Sequence, residues 1–322
     1  MTRSKRLGEW LYYFAFLPLI APLPTGIRQA LGRRRARKRM QRREDSRRHS
    51  VANMRHYLGY SAGQAEETTR QAFVLQLADE LDSYGYHRVS PSLVGRRFQV
   101  EGEEHLDQLR GQGRGAVLAT VHLGSICMAV MAMGQMGFKV YPLTHDSRND
   151  SSMGRPLNAH SRWRLFWIER KCGGHAIYVN LKSPSGGKAL GSLEALKVLR
   201  QGGFVSMPLD IPPHLVDHAL QVDFLGRRCR FPSGPVRLAA LAGVPIFPYF
   251  ILRHEDDWTR FKLVLREPIE PSGNASQDLQ RCLGQAEEMI KLSPQQWTAW
   301  DSANQFLASG DREPGKDPGS FL

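Results

Sequence analysis

The sequence predicts an α/β domain, a sheet with helices on its faces, preceded by a helical amino-terminal extension. Three observations carry that prediction. After Pro91, short apolar runs alternate with helical stretches of about 10 to 15 residues, the pattern of strands joined by crossover helices. Between His49 and Tyr86, apolar residues (Val51, Met54, Tyr57 and Leu58, then Phe73, Leu77, Ala78 and Leu81) recur at the steps of a helix face. The 322 residues, 41% hydrophobic and 23% charged, are enough for one large domain with its own core.

The chain divides into residues 1–48, residues 49–305 and a tail of residues 306–322. The net charge of +13 is concentrated at the start, where 14 of the 44 Lys and Arg fall within the first 50 residues against three acidic residues. The remaining 272 residues are close to neutral, which excludes a uniformly basic nucleic-acid-binding face. Trp10 to Pro24 is a run of 15 apolar residues, short of the roughly 20 that span a bilayer. Pro18, Pro22 and Pro24 interrupt it, and the run GRRRARKRMQRR that follows would resist translocation and belongs on the cytoplasmic side. An apolar segment followed by a polybasic one predicts a membrane-surface or shallowly inserted anchor. The alternatives are a core-packing helix followed by a solvated basic helix, and a nucleic-acid-binding arm.

Within the second region the elements follow in order. GAVLATVH is a strand, SICMAVMAMGQMG a helix and FKVYPL a strand. A helix is predicted from Asn158 to Cys172, then the strand HAIYV, the helix GSLEALKVLRQGG and the strand FVSMPLD. QVDFLGRRCRF reads as a hairpin, and PSGPVRLAALAG as a helix with Pro near its start and Gly at its end. The strands VPIFPYFILR and RFKLVLREP and a helix over Gln277 to Leu292 complete the region. The Gly- and Pro-rich SGDREPGKDPGS reads as a loose end.

Cys127, Cys172, Cys229 and Cys282 are scattered without a C-x-x-C pair and read as reduced thiols. His214 and His218 are four apart but lack the partners of a metal motif, so no metal is expected. The Met-rich run after Cys127 suits either an irregular core or an apolar groove.

His122 stands at the carboxyl end of the strand GAVLATVH, where open α/β sheets carry their sites. The block TVHLGSIC around it resembles the H-x4-[D/E] block of the bacterial late lipid A (lauroyl/myristoyl) acyltransferases, within the lysophospholipid acyltransferase superfamily. Four more blocks resemble that family in the same order: ERKCGGHAIYV, GSLEALKVLRQGGFVSMPLD, VDFLGRRCRFPSGPVRLAALAGVPIFPYF and SPQQWTAW. The resemblance implies a glycerolipid-acyltransferase-like mixed sheet on the cytoplasmic face of a bacterial inner membrane. It further implies acyl transfer from an acyl carrier protein or coenzyme A thioester to a hydroxyl or amine of a lipid-like acceptor, with His122 as general base and no cofactor. Gly124 and Ser125, inside the first block, are implied to lie beside the substrate, and Arg170 is a candidate for a phosphate or carrier-arm contact.

The chain departs from the family pattern at Cys127, which stands where the family keeps a carboxylate. Three readings follow. Asp210 or Asp146 replaces the missing acid, or His122 acts unaided; Cys127 relays the acyl group through a thioester; or the chain has lost acyl transfer and retains a lipid-binding or assembly role.

Overall fold

The computed structural model describes residues 3–145, 154–179 and 186–308. The chain begins with four helices, α1 (Arg3–Leu11), α2 (Leu17–Ile20), α3 (Thr25–Arg42) and α4 (Glu44–Leu58), with a π-helical turn, Tyr12–Phe16, between the first two. Then follow α5 (Ala62–Asp82), α6 (Pro91–Arg97), β1 (Phe98–Glu101), α7 (Glu103–Gly111) and β2 (Ala116–Thr120). The middle comprises α8 (Ile126–Gln135), β3 (Val140–His145), α9 (Arg155–Lys171), β4 (Ile177–Val179), α10 (Gly186–Arg200) and β5 (Phe204–Pro208). The hairpin β6 (Ala219–Phe224) and β7 (Arg227–Pro232), α11 (Gly234–Ala242), β8 (Ile246–Arg253), β9 (Phe261–Leu265) and α12 (Ala275–Leu292) complete the order.

Seven strands form one sheet in the order β1-β9-β8-β2-β5-β3-β4. β2, β3, β4, β5 and β8 run parallel to their neighbours among them, whereas β9 is antiparallel to β8, so the sheet is mixed. β2 lies near the centre and is buried along its whole length. Its side chains alternate between two cores. Val117 and Ala119 join the cluster that includes residues of α10, α11 and α12, while Ala116 and Leu118 join that of α7 and α8. This two-sided burial explains why the strand reads as a continuous apolar run. Met128, Met131 and Met133 of α8 are buried within the second cluster, which makes the Met-rich run core filling.

The helical limits follow local chemistry. Ser61 caps α5 with a reciprocal capping box to Gln64, and Asn274 caps α12 through the N–H groups of Ser276 and Gln277. The predicted helix around Asn158 is α9, which starts at Arg155 with Pro156 in its first turn.

The amino-terminal helices pack on the rest of the protein. Leu17 and Ile20 are buried against Leu77 and Leu81 of α5. α3 carries Gly32 and Ala36 at its buried side, where a Cβ on Gly32 would come within 2.7 Å of the Trp258 ring. Arg39 and Arg35 pair with Glu80 at 3.0 and 3.2 Å, and the Arg35 guanidinium lies 4.2 Å over the Tyr12 ring. The inner side of the segment is therefore core-packing, while Leu7, Trp10, Leu11 and Phe14 face outward. Residue 48 falls inside the continuous helix α4. No helix among the described residues is long and apolar enough to cross a membrane. Of the tail, Phe306 and Leu307 are buried, and SGDREPGKDPGS lies outside the described residues.

Candidate active site

Strand register brings the site together. Thr120, the last residue of β2, is paired with Pro208, the last residue of β5. The Leu209 N–H then donates to the Thr120 carbonyl at 2.7 Å, so the two chains leave the sheet side by side. Two residues beyond the paired ends stand His122 and Asp210.

The Asp210 carboxylate receives three donors. One oxygen accepts from the His122 imidazole Nδ1 at 2.7 Å; the other accepts from the His122 backbone N–H at 2.8 Å and from the Trp297 indole at 2.8 Å. Its side chain is fully buried, whereas the His122 side chain remains 43% exposed. Burial alone would raise the Asp210 pKa, but the His122 charge and these hydrogen bonds outweigh it and hold the carboxyl below its ordinary range. For His122, burial opposes the imidazolium and the adjacent Asp210 more than offsets this, so its pKa is raised. With Nδ1 committed to Asp210, Nε2 is the nitrogen left for a substrate.

A carboxy-terminal turn holds the histidine in place from behind. The Thr298 N–H and hydroxyl donate to the His122 carbonyl at 2.9 and 3.2 Å, Leu123 bridges to Trp297, and the Gly124 N–H donates to the Gln296 carbonyl at 2.9 Å. Gly124 is required here for two reasons. Its φ is +63°, and a Cβ would lie 2.2 Å from the Ile251 carbonyl oxygen. Ser125 is buried, and its carbonyl accepts from Met128 and Ala129 at the start of α8. Gln296 in turn bonds both backbone groups of Arg253, whose buried guanidinium reaches Asp79 at 2.9 Å and Asp82 at 2.5 Å on α5.

Cys127 lies on the first turn of α8 and turns to other partners. Its sulfur is 3.5 Å from the Arg164 guanidinium of α9 and lies beside Tyr86, whose phenol burial pushes well above its ordinary pKa. The carboxylate on His122 is thus Asp210, two residues past the end of β5. Asp146 lies outside the described residues. Arg170 is not brought to His122. It is exposed, its guanidinium 4.3 Å over Phe166, at the end of α9 that abuts Gly134 near the far end of α8. Ten residues of helix separate those ends, about 15 Å. Among the described residues no group of three or more His, Cys, Asp or Glu could hold a metal.

Trp297, Gln296 and Arg253 escaped the residue-by-residue reading of the sequence. The block SPQQWTAW was the available signal for the first two, but nothing in it says that its indole reaches an aspartate 87 positions earlier.

Comparison with known proteins identifies the family. A family model described as bacterial lipid A biosynthesis acyltransferase matches residues 2–300. The chain is also 28% identical over 167 residues to a phosphatidylinositol mannoside acyltransferase of Mycolicibacterium smegmatis. That alignment takes in 51% of this chain and 49% of the relative, so the chain spans about half the length of the curated relative it matches.

Proposed function

The chain belongs to the bacterial lipid A biosynthesis acyltransferase family, and from that premise we propose that it transfers a fatty acyl group from a carrier-protein or coenzyme A thioester to a hydroxyl or amine of a lipid-like acceptor. The observation that carries the proposal is the 2.7 Å contact between His122 Nδ1 and a buried Asp210, on a ring still open to substrate.

The chemistry follows from that tautomer. His122 Nε2 takes the proton of the acceptor O–H or N–H as the acceptor atom attacks the thioester carbonyl carbon. The carbonyl electron pair moves to oxygen and returns as the C–S bond breaks, forming an ester or amide. The imidazolium then gives its proton to the departing sulfur, leaving a free thiol and a neutral His122. Asp210 stays ionised throughout, fixing the ring and stabilising its charged form.

The Asp210 contact favours the reading in which another acid replaces the one absent at Cys127. It likewise favours an enzyme over a binding-only homologue and disfavours a thioester relay through Cys127, whose sulfur faces Arg164 and Tyr86 and not a base. The outward apolar residues of α1 and the polybasic α3 support residence on the cytoplasmic face of a bacterial inner membrane, through the surface rather than by a span.

The test is product identity. Purified protein given an acyl-labelled thioester and a bacterial membrane lipid extract is expected to yield a labelled lipid and free thiol in equal amounts. Free fatty acid alone, or no thiol release with any acceptor, contradicts the proposal.

A further inference from the structure

α1 and the π-helical turn expose Leu7, Trp10, Leu11 and Phe14, spaced so that they form one stripe. The π-helical turn directs Tyr12 and Tyr13, and α2 directs Leu17, toward the protein. A second apolar ridge stands beside it on α9, where Trp163 is 39% and Phe166 45% exposed, one turn apart, while Ser161 and Ile168 face inward.

The two ridges are joined. Tyr13 stacks on His160 of α9 at 4.8 Å, and the Tyr84 hydroxyl bonds the Tyr13 carbonyl. His160 is pushed down to about 4, by burial first and then by Arg164, so it is uncharged at neutral pH and its stacking is an apolar contact. The Trp163 indole is steadied by a 3.3 Å bond to the Ser83 carbonyl. Arg162 and Arg170 are exposed on either side of the aromatic pair, and the Arg170 guanidinium lies over the Phe166 ring. Aromatic rings flanked by cations are the composition that settles at a lipid headgroup boundary. Further exposed cations on α3, among them Arg33, Arg34, Arg37 and Lys38, add attraction to an anionic surface.

The inner side of α9 ties the ridge to the site, because Arg164 reaches Cys127 in the first turn of the helix that follows His122. The ridge therefore stands about one helix diameter, roughly 10 Å, from the first turn of α8.

We propose that Trp163 and Phe166 of α9 form, with the α1 stripe, one docking face for an anionic bilayer, and that α9 is the contact that sets His122 at headgroup level. An acceptor lipid then meets the imidazole without leaving its leaflet. This rests on the reading that the acceptor is a membrane lipid. It also gives Arg170 a phosphate partner, a lipid headgroup away from the reacting atoms.

The experiment uses the full chain with vesicles of phosphatidylethanolamine and phosphatidylglycerol carrying brominated acyl chains. Trp258, Trp297 and Trp300 are buried and provide an unquenched background. In Trp10→Phe, the remaining surface indoles are those of α9, and quenching on vesicle addition is expected to persist. The Trp163→Ser/Phe166→Ser protein, shown by its melting curve to be folded at the assay temperature, is expected to partition about tenfold more weakly than wild type, since binding scales with buried apolar area. Absence of quenching in Trp10→Phe, or wild-type partitioning by the double variant, overturns the assignment of α9. If Leu7→Ser/Trp10→Ser alone then abolishes binding, membrane residence survives and only the α9 contact fails. A wild-type protein that binds no vesicle overturns both.

Discussion

Replacing Asp210 with Asn isolates the charge of the acid from its shape. One carboxylate oxygen of Asp210 serves two N–H donors, the His122 backbone and the Trp297 indole, while the other serves His122 Nδ1. An Asn keeps its carbonyl on the two donors and turns its NH2 to Nδ1. The imidazole must then accept at Nδ1 and carry its proton on Nε2, which removes the lone pair that would take the acceptor's proton. The same change in a serine-protease triad lowers kcat about 10⁴-fold, and on the order of 10³ to 10⁴ is expected here, roughly 4 to 5 kcal/mol of transition-state stabilisation. The assay is thiol release from an acyl thioester in the presence of acceptor lipid, with the melting temperature measured alongside to separate chemistry from unfolding. Turnover within tenfold of wild type in a folded Asp210→Asn protein would refute the reasoning.

Further predictions follow from the same contacts. Because His122 must be neutral to act and Asp210 raises its pKa, kcat/KM should increase with pH through an apparent pKa above about 6.5; a profile flat between pH 6 and 8 would contradict this. In linkage terms, the raised His122 stabilises the fold below about pH 6.5 and loses that contribution as pH rises through its folded pKa. Asp210, held low, contributes above about pH 4 and loses its contribution as pH falls through its folded pKa. Cys127→Ser should retain turnover within a few fold, since the sulfur faces Arg164 and Tyr86, and a loss comparable to Asp210→Asn would revive the relay. Arg253→Ala leaves Asp79 and Asp82 without their buried partner and should cost about 3 to 5 kcal/mol, lowering Tm by roughly 10 °C in a thermal melt.

Much of the sheet was legible because its central strands are buried on both faces. Continuous apolar runs such as AVLAT and IFPYFILR mark such strands whatever the order in which they assemble. His122 was legible for a related reason, as a polar residue where such a run stops. Its partner was less so. The pairing of Thr120 with Pro208 decides that Asp210 meets the imidazole, and register is a long-range property absent from local pattern. The family resemblance put the acid's usual place at Cys127, which helix geometry turns toward α9, and local pattern could not choose between Asp210 and Asp146 as its replacement. Where Arg170 lies was not legible either, since only the course of α9 carries this cation to the far end of α8, away from His122. In the amino-terminal segment, composition described the outer face, Leu7 to Phe14, but could not register that Leu17, Ile20 and Ala36 are matched to α5 and its neighbours.

The central claim is that His122 removes the acceptor's proton. Wild type and His122→Ala, both shown to be folded by their melting curves, should be compared for label transfer from an acyl thioester to a membrane lipid extract. The account predicts transfer by wild type and a loss of at least about 10³-fold in the variant. Equal transfer by the two proteins would remove His122 from the mechanism.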